Sequence, residues 1–498
     1  MKNKHGNIRK ILKYTLIFTI CFCQAFSSFA ENAHTGNSNE QNLSLEEAVM
    51  IAIQNSYEVK LARLDLYIAE TGVMYSEAVF DTFLFGGSSY MEDKSQQLSV
   101  FAADDSQTNT YYAGLQKTLP TGTEIKGQWG DTRYWDSGAF LSKNPGHTAE
   151  LMFELKQPLG ENMFGYIDRT NISISKLAVK NASLQEKDRI EVMIARVEDA
   201  YCEFLFTMES LEVDREILEK AKTLHESNAK NYDMGLLEKV DLLASEAYVI
   251  NMETLVLVAE NDFSRAEENL KLIMNLGIED NVFPTDSLSA VYTNADIAEC
   301  FRLAFENRRD YLAAKRDAEI KGLELKIKTN EKWPEIDLIL SAAANGAEGS
   351  FEKAFGKTTV LDNTKYYAGI EVTIPIENKA DRSQYDSKKY EKEEALIAIK
   401  EVEREIITEV TNAAGDVNAY GSGAESLKKV VELQKEKLEE EEKRFSTGRS
   451  NTKRVIDYQQ DLLQAELEEM KLRLNHAKAV VSLERAMNII LGKYEEKI

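Results

Sequence analysis

One decapeptide occurs twice in this chain, and the repetition limits what the chain can fold into. Residues 111–120 read Tyr-Tyr-Ala-Gly-Leu-Gln-Lys-Thr-Leu-Pro and residues 366–375 read Tyr-Tyr-Ala-Gly-Ile-Glu-Val-Thr-Ile-Pro, with six positions identical and two more Leu/Ile exchanges. In the second copy Tyr366, Ala368, Ile370, Val372 and Ile374 fall on one side and Tyr367, Gly369, Glu371 and Thr373 on the other, the two-residue period of a strand. A proline-free stretch with helical periodicity follows each copy. The 498 residues therefore read as one architecture built by tandem duplication of a unit of strands and long helices.

Residues 1–30 have the layout of a secretory signal: Lys2, Lys4, Arg9, Lys10 and Lys13 precede an apolar run, Tyr14–Cys23, and Ser28-Phe29-Ala30 offers a small-x-small cleavage site. That run is short for a membrane anchor, and no later segment holds 18 consecutive apolar residues, which excludes a transmembrane helix at this level of reading. A membrane role would have to use strands. The formal charge of −24 becomes more negative once five basic residues leave with the signal, and such a surface repels nucleic acid and anionic lipid. Cys202 and Cys300 remain after cleavage. They lie in opposite halves within helical patterns, which argues against a bridge between them.

The first half (43–277) follows a polar start, 31–42, expected to be flexible. Its expected helix, Leu43–Val79, opens with Ser44 as N-cap and Glu47 three residues on, a capping box. The counterpart helix, 296–332, begins at Asp296, and at one constant offset Ala52, Asn55 and Glu58 match Ala304, Asn307 and Asp310. Strands are expected within 81–158 in the first half and within 335–376 in the second, four candidates against two. Tyr90, Tyr111, Tyr112, Trp129, Tyr134, Trp135, Tyr366 and Tyr367 gather near strand ends, which suits the aromatic girdles of a membrane barrel and equally the core of a soluble sheet.

All six prolines, Pro120, Pro145, Pro158, Pro284, Pro334 and Pro375, fall at strand edges or linkers. Ile190, Ile194, Val197, Tyr201, Phe204, Met208 and Leu211 step alternately by four and three, as do Ile406, Val410, Ala413, Val417 and Tyr420, the spacing of a coiled-coil seam. Each run changes character at a glycine, in Met234-Gly235-Leu236 and in Thr447-Gly448-Arg449. Helical hairpins are therefore expected over 165–277 and 379–492, with arms of ~50–60 residues and ~75–90 Å. The acidic stretch Glu439–Glu442 reads as a solvated helix face. Residues 278–295 read as a linker between the halves, 296–492 as the second half and 493–498 as a tail.

Chemistry is sparse. The five histidines show no ligand spacing, there is no Cys-x-x-Cys and no nucleophile elbow, so no catalytic, cofactor-binding or metal site is expected. Phe355-Gly356-Lys357-Thr358 ends like a phosphate-binding loop, but Phe351 stands where the first glycine would be, and the segment reads as a loop tip between strands. A conduit or a scaffold fits better than an enzyme.

The ordered set of features resembles the TolC-type outer-membrane efflux family: a signal, duplicated strands and hairpins, Ser44-Leu-Glu-Glu-Ala48 with Ala52 and Asn55, Gln157-Pro158-Leu159, Thr373-Ile-Pro-Ile376, the two glycine tips, and the closing Leu276-Gly277 and Leu491-Gly492. The resemblance implies an α+β membrane protein, a homotrimer whose strands close a β-barrel in outer-membrane lipid while its coiled-coil hairpins form a periplasmic α-barrel. It implies a passive exit duct for efflux or type I secretion, serving an inner-membrane pump through a periplasmic adaptor. By the same resemblance Met234, Gly235, Leu236, Thr447, Gly448 and Arg449 match the adaptor-contact tips. The family carries acids six and nine residues beyond the second tip glycine to ring the constriction; here those positions are Arg454, preceded by Lys453, and Asp457. A constriction of mixed charge is expected. The alternative is a periplasmic coiled-coil scaffold or adaptor outside any membrane.

Overall fold

The computed structural model describes residues 41–96, 103–138, 141–277, 279–288, 292 and 294–494. The signal segment, residues 31–40 and the end of the tail lie outside the described residues. The Ser44 capping box forms as its residues dictate: the Glu47 amide donates to Ser44 Oγ (3.3 Å) and the Ser44 amide to Glu47 Oε2 (2.9 Å). The helix it starts, α1 (Leu45–Asn55), stops at Ser56, whose backbone leaves the helical region and whose hydroxyl caps α2 (Tyr57–Glu77). The single helix expected over Leu43–Val79 is thus two. Leu43 itself closes a short strand, β1 (Gln41–Leu43).

Four strands follow: β2 (Thr82–Asp93), β3 (Ser106–Thr118), β4 (Glu124–Asp136) and β5 (Gly146–Pro158). The chain then enters α3 (Tyr166–Asp233), turns at Gly235 and returns as α4 (Lys239–Met274). Next comes β6 (Val282–Pro284), parallel to β1, which puts a strand inside the segment read as a linker. The second half repeats the order: α5 (Ile297–Asn307) and α6 (Arg309–Asn330), β7 (Glu335–Glu348), α7 (Phe351–Val360), β8 (Thr364–Thr373), α8 (Lys379–Ser446) and α9 (Thr452–Ala486).

The hairpin arms are unequal, 68 residues in α3 and α8 against 36 in α4 and 35 in α9, where near-equal arms were expected. The short partners explain the difference. Each 68-residue helix, ~100 Å long at 1.5 Å per residue, is backed near the tip by the returning arm and farther away by a broken pair, α1 and α2 against α3, α5 and α6 against α8. The helices lie four abreast near the tips in the order α4, α3, α9, α8. Of the first seam, Ile190, Ile194, Val197, Tyr201, Phe204 and Leu211 are buried and Met208 is partly so. Of the second, Ile406, Val410, Ala413 and Val417 are buried and Tyr420 packs against them.

α4 corrects another expectation: it is long and apolar enough to cross a membrane by length and composition. Tyr248, Met252, Val256, Leu270 and Met274 pack inward. Val240, Leu243, Ile250 and Leu257 stay exposed on the side away from α3, again at four-three spacing.

The six long strands form one antiparallel sheet in the order β2-β3-β4-β5-β7-β8, with β5 and β7 joining the halves and with β2 and β8 as free edges. The surplus strands of the first half are members of this sheet. The segment read as a loop tip at Phe355–Thr358 is part of helix α7, which lies across β5 and β7. Burial overrides the helix cost of Gly356 (about 1 kcal/mol): Ala354 and Thr358 are shut against the sheet, and a side chain at Gly346 would strike the Ala354 carbonyl.

Candidate functional site

Pleating sorts the sheet into two chemically different faces. The register places Leu84, Leu115, Gly127, Phe153, Ala342 and Tyr366 in one row across all six strands. With Ile125, Trp129, Leu151, Leu155, Leu338, Leu340, Ile370 and Val372, they make an apolar face that is exposed over much of its area, Leu84 by 80% and Tyr366 by 78%. Along β7 it runs from Ile336 to Gly346, ~33 Å of strand, or about 25 Å after a tilt of ~40°, the height of the apolar band on outer-membrane barrels. Of the aromatics on this face, Tyr90, Trp135 and Tyr366 sit toward the ends of their strands remote from the helices, and Tyr111 and Trp129 sit mid-strand. α7 packs on the same face, with Phe351 and Phe355 edge-on to Trp129 at 5.7 and 5.8 Å.

The opposite face carries Gln116, Lys126, Gln128, Glu150, Glu154, Lys156, Asp337 and Glu371. Lys156 pairs with Asp337 across β5 and β7 at 2.8 Å. A sheet that is apolar on one side and charged on the other separates lipid from water.

The other end of the molecule is the pair of hairpin tips. Both helices close by the same local chemistry. The Gly235 and Leu236 amides donate to the Tyr232 and Asn231 carbonyls, and the Gly448 and Arg449 amides to those of Phe445 and Arg444. This is the Schellman arrangement, which needs a left-handed residue; Gly235 has φ +72° and Gly448 φ +74°. Space is open around both, so conformation and not crowding demands glycine. Met234 and Leu236 are exposed by 63% and 75%, apolar side chains at the extreme of the molecule, and Thr447 and Arg449 are exposed beside them.

Lys453, Arg454 and Asp457 are all exposed on the first turns of α9. Arg454 does not turn to Asp457. It reaches back to α8, where Glu441 is 3% exposed and takes Arg454 at 3.6 Å, Arg444 at 3.7 Å and the Ser450 hydroxyl. The acidic run read as a solvated face is solvated at Glu439, Glu440 and Glu442 and buried at Glu441. Lys453 and Asp457, four residues apart, share a helix face, and Asp457 has no ion pair among the described residues.

Two further features escaped the sequence reading. Asn228 of the first hairpin and Thr452 of the second are fully buried against each other, Asn228 Nδ2 donating to Thr452 Oγ1 at 3.2 Å. Continued strictly past Leu211, the four-three spacing runs through Arg215, Leu218, Lys222 and His225 to Ala229 and passes Asn228 by, so the period alone did not signal it. Farther from the tips, buried Glu191 of α3 accepts from Arg309 at 2.6 Å and from Asn488 at 3.2 Å, locking the first half to the second. Along α3, burial pushes the carboxyls of Glu198, Asp199 and Asp214 above their ordinary range, and the Tyr494 hydroxyl donates to Glu198 at 2.7 Å. Cys202 and Cys300 are both free.

Residues 301–488 match the family model described as outer membrane efflux protein. No curated protein sequence matches the chain. Solved structures similar to it include the outer-membrane channel OprN (16% identity, TM-score 0.68, covering 89% of each chain). The outer membrane protein VceC from Vibrio cholerae is 14% identical, with TM-score 0.66 over 89% of this chain and 96% of its own. The Campylobacter jejuni CmeC outer membrane channel is also 14% identical, with TM-score 0.64 over 89% and 85%. At such identities the likeness is one of fold. Together, these comparisons show that residues 301–488 resemble the outer membrane efflux protein family and that the chain shares its fold with solved outer-membrane channels.

Proposed function

We propose that the protein is a passive exit duct, in which three copies close a β-barrel in the outer membrane and a helical tunnel below it. The observation that carries this reading is that the molecule is open at the same two edges in every layer. The sheet ends at β2 on one side and β8 on the other. Beneath β2, Tyr57, Leu61, Leu64, Ile68 and Tyr75 form an exposed four-three seam on α2, continued on α4 by Val240, Leu243, Ile250 and Leu257. Beneath β8, α8 exposes Tyr390, Ile397, Ile407, Val430 and Leu433. Unpaired strand edges are too costly in lipid, and one edge unlike the other pairs head-to-tail into a ring.

The tips 234–236 and 447–449 then ring the periplasmic mouth and present Met234 and Leu236 to an adaptor, behind which an inner-membrane pump supplies the energy. Three sets of Lys453, Arg454 and Asp457 give that mouth mixed charge, with Arg454 drawn off to Glu441. Efflux and type I secretion are both served by such a duct. Envelope fractionation followed by gels of unboiled and boiled samples after mild cross-linking tests the reading. A heat-sensitive trimer in the outer-membrane fraction is expected; a soluble periplasmic species would favour the scaffold instead.

A further inference from the structure

The width of the sheet has a consequence for the exit. Six strands per copy, spaced ~4.8 Å and tilted ~40°, cover ~38 Å of barrel circumference. The helices of the same copy stand four abreast, and at ~8–10 Å between axes they cover ~32–40 Å. The two layers have nearly the same arc. Four strands would cover only ~25 Å by the same spacing, so a barrel of that size would have to narrow sharply where it meets the helices.

We infer, building on the duct reading, that all six strands of each copy enter the barrel wall, β8 of one copy pairing with β2 of the next to give eighteen strands in a trimer. Three observations support this. The six strands are hydrogen-bonded without interruption, each 10–14 residues long. β2 leaves the helical end and β8 returns to it, so joining them keeps every pair antiparallel around the ring. The apolar face is continuous through the surplus pair: Leu115 of β3 and Gly127 of β4 lie in the row that runs from Leu84 to Tyr366. A β3–β4 hairpin standing above the membrane would gain nothing from Ile125, Leu115 and Trp129 on that face.

Eighteen strands close at ~36 Å between backbones, in the class of barrels that hold an aqueous channel. α7, the connection from β7 to β8, packs on the apolar outer face and leaves the charged face uncovered. The outer-membrane segment is therefore no narrower than the helical tunnel, and size selection falls to the periplasmic mouth. The class of cargo it admits includes solutes ~20 Å across, such as a polypeptide or polysaccharide chain in a compact state.

Single-particle electron microscopy of the detergent-solubilised full-length protein, counting strands and helices in cross-section, tests this. Eighteen strands above twelve helices is the expected result. A closed ring of twelve helices carrying twelve strands, with β3 and β4 outside the wall, would overturn the wide exit and leave the duct standing. A species with no ring at either level would overturn both.

Discussion

If the apolar face meets lipid and the charged face meets water, two adjacent residues of β5 must respond oppositely to the same charge. Phe153 is in the middle of the apolar run Ala149, Leu151, Phe153, Leu155 and is 58% exposed. Met152 points to the other side, in the row of Gln128 and Ala343 and between Glu150 and Glu154. An arginine at the midplane of the lipid face costs ~2–4 kcal/mol, while one facing the lumen costs little. Phe153→Arg should therefore lower the insertion equilibrium by about 30- to 700-fold per copy, at tenfold per ~1.4 kcal/mol. Met152→Arg gains two neighbouring carboxylates and should insert like the parent. The assay is denaturant-titrated refolding into lipid vesicles, alongside the yield in the outer-membrane fraction. Equal losses, or a larger loss for Met152→Arg, would refute the assignment of faces.

Four further outcomes follow from the same geometry. Gly235→Ala and Gly448→Ala each force a side chain into the left-handed region and should cost about 1 kcal/mol, read as a lower thermal midpoint and weaker capture by the adaptor. Asn228→Leu strands the buried Thr452 hydroxyl and should destabilise by about 1–3 kcal/mol; pairing it with Thr452→Val should recover most of that in the same melt. Burial holds Glu198, Asp199 and Asp214 above the ordinary carboxyl range. A raised acid contributes stability that is full below about pH 4 and is lost as pH climbs through its folded value. The helical melt should therefore rise as the pH is lowered from neutral toward about 4, and by less in Glu198→Gln. Asp457→Asn should change single-channel conductance or its block by divalent cations; unchanged currents would remove Asp457 from the constriction.

Much of the plan is legible because it rests on period. The two seams, the strand alternation and the tip glycines all express local geometry, and Gly235 and Gly448 show the left-handed backbone that makes a glycine necessary there. What escaped is set by long-range packing. Ser56 breaks the first helix because its hydroxyl caps the next one, and a serine inside an amphipathic run does not announce that. α7 reads as a loop because Gly356 and Lys357 interrupt a short apolar segment; only contact with Gly346 and Trp129 makes it a helix. Glu441 is hidden in an acidic run, and its burial depends on Arg454, Arg444 and Ser450 meeting across the hairpin. The pairing of β5 with β7 joins strands from opposite halves, and no local pattern encodes it.

The central claim is that the charged face of the sheet lines a water-filled path open to the exterior. Substituted-cysteine labelling in intact cells tests it most directly, in a background with Cys202 and Cys300 replaced by serine. A bulky, membrane-impermeant maleimide added outside should modify Lys126→Cys and Glu150→Cys and spare Ile125→Cys and Leu151→Cys. Labelling of all four alike, or of none, would contradict the account.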